Sequence, residues 1–186
     1  GWIHWGSNGD FSPENCTVDM WPDMRELEPD EKFPAPAFND GRDRHVFSSH
    51  NRDTVARHFK WMRDYGIDGV YVQRFATNVT PGSASFRNRN NILGHCKAGA
   101  NLHGKKYAVM YDLSGLKSGA DLQKVVDDWK YLVDVLRVGR DPADTSYMTH
   151  GNRPVVAVWG LGFNRDYEGQ DSHAFIDFLK NDPRYG

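Results

Sequence analysis

From residue 51 onward the chain alternates between two apolar patterns. Residues 51–65 carry Val55, Phe59 and Met62 at helical spacing and stop at Gly66, and residues 69–75 follow as a short run with Val70, Tyr71 and Val72, so helix then strand is predicted. The pattern then repeats. Residues 85–102 place Ile92, Leu93, Cys96 and Ala100 on one helical face and end near Gly104, and residues 107–112 form a second strand. Leu122, Val125, Val126, Trp129, Leu132, Val133 and Leu136 mark the third helix, in which Trp129 belongs to the core, and Ser118 with Asp121 resembles a capping box before it. Residues 154–159, with Val155, Val156, Ala157 and Val158, give a third strand, and Phe175, Ile176 and Leu179 mark a fourth helix over 172–179.

Nearly all-apolar strands alternating with amphipathic helices are what a parallel sheet under a helical layer requires. No G-x-G-x-x-G or G-x-x-x-x-G-K follows a strand, which disfavours a nucleotide-binding doubly wound sheet. The expected class is α/β. A closed eight-stranded barrel takes ~250 residues, so the expected fold is a partial (β/α)8 TIM-type barrel of about three to four βα units. Residues 1–50 lack periodicity, and Pro13, Pro22, Pro29, Pro34 and Pro36 exclude a long helix. They are expected to form a long irregular loop region of a single domain spanning 1–186. Trp2, Trp5, Phe11, Trp21 and Phe33 are too many aromatics for a disordered tail, so this region should pack on the βα repeats of 51–186. An incomplete barrel leaves an open sheet edge, for which self-association is the expected cover.

A formal charge of -2 gives no basic excess for nucleic acid, and no apolar run approaches a membrane span. Cys16 and Cys96 are widely separated and read as free thiols rather than a bridge or a metal motif. His45, His50, His58, His95 and His103 lack ligand spacing, and an acidic loop with Asp10, Asp19 and Asp23 reads as solvated, so neither metal nor cofactor is expected.

Barrel chemistry is built at the carboxyl ends of strands. Those ends carry Gln73 and Arg74, then Tyr111, Asp112 and Ser114, then Trp159 followed by Asn164, Arg165 and Asp166. Carboxylate, guanidinium, phenol and indole together suit sugar hydroxyls held beneath a flat aromatic surface. Asp112 is the expected catalytic or hydroxyl-accepting carboxylate, with Arg74 orienting it from the neighbouring strand; a rim ion pair between them is the structural alternative. His4, Trp5, Trp21 and Asp23 in the first loop are the expected binding wall, with plain packing of that loop as its alternative. Ser114 lacks a G-x-S-x-G elbow, which argues against acyl transfer.

The strings His4-Trp5-Gly6, Asn15 to Asp23, Asp64 to Val70 with Gln73-Arg74-Phe75, Tyr111 to Gly115 and Val156 to Gly160 resemble the glycoside hydrolase 71/99-like group of bacterial barrels, over the whole chain. The resemblance implies a (β/α)8 barrel, secretion or periplasmic placement, and action on α-linked polysaccharides or glycans of mannan or glucan type. Family 99 is known for paired glutamates on a late strand, and none is carried over to this chain, because no such strand precedes Gly186. A non-catalytic carbohydrate-binding partial barrel is the alternative.

Overall fold

The computed structural model describes residues 21–35, 41–162 and 170–186. A short 3-10 turn, Pro29–Glu31, leads to β1 (Phe33–Ala35) and β2 (Arg44–Val46), which pair antiparallel. The region expected to be irregular therefore holds a small hairpin. Three-residue strands are too short to show a period of two, and Pro34 sits in one of them. The described part of this arm packs against α1 (Arg52–Asp64): Leu27 and Val46 are buried, Trp61 Nε1 donates to Glu26, and the buried Glu31 accepts from the Arg57 guanidinium at 2.6 Å. Asn51 caps α1 by accepting from the Asp53 and Thr54 amides.

The repeating part then runs β3 (Gly69–Phe75), α2 (Ala84–His103), β4 (Lys106–Asp112), α3 (Leu122–Asp134), β5 (Thr149–His150), β6 (Arg153–Pro154), β7 (Val156–Trp159) and α4 (Gln170–Asn181). The third strand starts later than expected, because Arg153 and Pro154 belong to a separate hairpin with Thr149 and His150. Gly104 ends α2 in the left-handed conformation (φ 64°) that glycine adopts without penalty. The Ser118–Asp121 capping box forms, on the turn that feeds α3.

β3, β4 and β7 form a parallel sheet in chain order. Side chains of one sheet face reach both crossover helices, Asn90 of α2 and Asp128 of α3, so both crossovers lie on the same side. That single winding is found in a barrel segment and also in one βαβαβ half of a doubly wound sheet. The core lies between this face and the helices, around Phe59, Val72, Ile92, Tyr107, Val109, Val125, Trp129 and Leu132. α1 approaches α2 closely at Gly99, where any Cβ would stand 2.7 Å from the Phe59 ring. Trp129 is buried as expected and donates from Nε1 to the Tyr185 carbonyl, and Cys96 is a buried free thiol.

Candidate functional site

Successive residues of a strand point to opposite faces, so the strand ends divide into two environments. Tyr71, Gln73 and Phe75 of β3 share a face with Met110 and Asp112 of β4 and with Ala157 and Trp159 of β7. Asp112 lies buried at 5%, whereas Tyr71 and Trp159, at 51% and 56% exposed, make the outer part of that face open. At its carboxyl end Gln73 Nε2 donates to Asp112 Oδ2 at 2.6 Å, and the Ser114 amide donates to Asp112 Oδ1 at 2.8 Å. The carboxylate is thus held between an amide of the neighbouring strand and the first turn of its own loop. Trp159 stands in register with Asp112 on the far side, where its carbonyl accepts from the Leu113 amide. An oriented carboxylate, a primary amide and an exposed indole on adjacent strands can hold polar hydroxyls and the apolar face of a ring together.

Arg74 and Tyr111 point the other way. Arg74 donates from Nε and Nη2 to the two Asp128 oxygens at 2.9 and 2.6 Å, and from Nη2 to Asn90 Oδ1 at 3.1 Å. Tyr111 donates its hydroxyl to Asp128 Oδ2 at 2.5 Å, and burial followed by the Asp128 charge raises its phenol well above the usual range. The side chains of Arg74 and Asp128 are 1% and 0% exposed. The expected Arg74–Asp112 partnership is therefore corrected, whether as orientation or as rim ion pair: the guanidinium is paired beneath the sheet with Asp128. The arrangement still bears on Asp112 indirectly. Asp128 ties the residue beside Gln73 to the residue beside Asp112, which fixes the two strand ends at the point where the open-face pair forms.

In the arm, Trp21 carries the Arg44 guanidinium 4.6 Å from its ring centroid, and Asp23 is bound to Arg25 at 2.6 Å, a contact that lowers its carboxyl to about 2. These contacts belong to the arm itself. His4, Trp5, Asp10, Asp19, Asn164, Arg165 and Asp166 lie outside the described residues.

No family model matches the chain, and no curated protein matches it. Among solved structures it is similar to the GH99 endo-alpha-mannosidase from Bacteroides thetaiotaomicron, at 13% identity and a TM-score of 0.46 over 69% of this chain and 31% of that one. A second structure of that enzyme, in complex with BIS-TRIS-Propane, gives 14% identity and a TM-score of 0.47 over 70% and 33%. The chain spans about a third of the length of those structures.

Sequence reasoning missed Asp128. Its signal is a carboxylate set inside the apolar stripe of α3, three residues after Val125 and four before Leu132, where a charge must have a buried partner. Among the described residues no three His, Cys, Asp or Glu side chains gather as a metal site, and no helix is long and apolar enough to cross a membrane.

Proposed function

We propose that the open sheet face is a sugar subsite in the early part of a glycoside-hydrolase-type barrel acting on α-linked glycans of mannan or glucan type. The observation that carries this reading is the 2.6 Å pair of Gln73 and Asp112 at adjacent strand ends, with the exposed Trp159 in register beside it. Asp112 accepts sugar hydroxyls, Gln73 holds the carboxylate and offers its remaining donor, and Trp159 packs on the ring. The resemblance of the strand-end strings to the 71/99-like group supports the barrel, and the single-sided winding fits it. Secretion and self-association over the open sheet edges go with this reading.

One observation favours a second reading. Asp112 is the only carboxylate among the described residues at the three strand ends, whereas glycoside hydrolysis ordinarily employs two. A non-catalytic unit that holds glycan without cleaving it needs only the one. Titration with linear α-mannan and α-glucan oligosaccharides, followed by isothermal calorimetry and by reducing-sugar release, tests both. Saturable binding that Asp112→Asn and Trp159→Ala each weaken at least tenfold supports the subsite, and release of reducing ends chooses the hydrolase over the binding unit. Absence of binding to every such glycan refutes both.

A further inference from the structure

At the end of α3 remote from the sugar-facing strand ends, Val133, Asp134, Arg137, Arg140, Pro183 and Arg184 line a pocket of about 410 Å³. Three guanidiniums share it with one carboxylate, and the array is fixed by its own contacts. Arg137 Nη2 donates to the Arg140 carbonyl at 3.3 Å, and Arg140 Nη2 donates to the Arg184 carbonyl at 2.6 Å. Arg184 donates from Nε and Nη2 to Asp134 Oδ1 at 3.2 and 2.8 Å, while the Tyr185 hydroxyl takes Asp134 Oδ2.

These arginines do not serve to cap α3. The carbonyls they bind belong to Arg140 and Arg184, outside the last helical turn. Each guanidinium has five N–H donors, so most donors stay available to a ligand. Neighbouring carboxylates are already engaged: Asp141 is paired with Lys97 at 2.5 Å, and Asp182 accepts the Arg184 and Tyr185 amides. Arg137 adds a second argument. Its φ of 55° lies in the left-handed region, where glycine is the ordinary choice after a helix, so a charged side chain is kept there against a backbone cost.

We propose that this pocket binds a tetrahedral oxyanion, phosphate or sulfate, either as the free ion or as an ester on a sugar. Asp134 offsets Arg184, which leaves an excess of two positive charges in the pocket that a bound dianion neutralises. The guanidinium fork matches the oxygen spacing of such groups. The inference is independent of the glycan site on the sheet.

The test is a nuclear magnetic resonance titration of the arginine Nε–H signals with sodium sulfate and sodium phosphate, set against sodium chloride at matched ionic strength. Saturable shifts of Arg137, Arg140 and Arg184 with the oxyanions and not with chloride are expected. Arg140→Ala should weaken binding at least tenfold. Arg137→Gly should do the same while raising the melting temperature, since glycine relieves the φ and leaves the other contacts in place. That combination keeps the test decisive even where Arg140→Ala fails to fold. Glucose 6-phosphate binding more tightly than inorganic phosphate identifies the ester as the ligand form, and weaker or equal binding identifies the free ion. A response equal to that of chloride, or full affinity in Arg137→Gly, overturns the proposal.

Discussion

The two faces of the β3–β4 sheet are made of alternate residues of the same strands, yet they solve opposite problems. Beneath the sheet, Arg74 and Asp128 are removed from water and pair in a bidentate geometry with Tyr111 and Asn90 as further partners. Above it, Gln73 and Asp112 form a neutral-to-charged pair beside an exposed indole. One residue of offset separates a guanidinium paired with a carboxylate from a buried carboxylate that lies beside the exposed indole. Charge at a strand end therefore says nothing about function until its face is known.

The largest effect that would sharpen this contrast is expected beneath the sheet. Asp128→Ala leaves the Arg74 guanidinium buried and uncompensated, a defect that costs about 3–5 kcal/mol. Urea unfolding should show this, and the double variant Arg74→Met with Asp128→Leu should recover most of the loss. Equal stability of Asp128→Ala and the parent would mean the ion pair contributes nothing, and the distinction between the faces would fail.

Acid is expected to act where the arm meets α1. His58 lies between Phe47, edge-on at 5.1 Å, and Trp61, stacked at 5.4 Å. Burial holds its imidazole down to about 4, against a partial upward pull from Glu31. The unfolded chain protonates this group near 6.5, so it binds more protons than the folded one between those values. Stability is therefore expected to fall as pH drops from about 6.5 through about 4, by about 3 kcal/mol at most. Denaturant midpoints across that window should show the slope, and His58→Phe should flatten it.

On the open face the expected order of effects reverses. Asp112→Asn keeps the shape and should cost about 1 kcal/mol of stability, the value of one ordinary hydrogen bond, while weakening glycan binding at least tenfold. Trp159→Ala should change stability by no more than about 0.5 kcal/mol, as surface substitutions do, with a comparable loss of affinity. Measuring melting temperature and glycan affinity on the same preparations checks both. A variant of either residue that loses stability and keeps full affinity would move that residue out of the site.

The elements were legible because the core writes itself into spacing. Val55 and Phe59, the Ile92 to Ala100 stripe, the Leu122 to Val133 stripe and the Val-rich strands each bury one side, and glycines such as Gly66 and Gly104 mark where the chain turns. The candidate site was legible in part. Strand-end position picked out Gln73, Asp112 and Trp159, but it also picked Arg74 and Tyr111, which the pleat sends to the other side. An almost wholly apolar strand hides its own alternation, so the sequence offers no sign of which polar residue faces out. Asp128 escaped because its partner lies 54 residues away and only the folded packing of α3 on β3 brings the two together.

That separation also sets a timetable for the chain. Strand order follows chain order, so β4 can add to β3 as soon as α2 has turned back, through contacts that are short-range by the standards of a parallel sheet. Until Asp128 emerges, however, Arg74 has no counter-charge and keeps its hydration, which holds the face beneath β3 wet. The joining of the first two strands should therefore become permanent only when α3 docks. Pulse-labelled hydrogen exchange during refolding is expected to show β3, β4 and α3 amides gaining protection in one step, and earlier protection of β3 and β4 alone would contradict it.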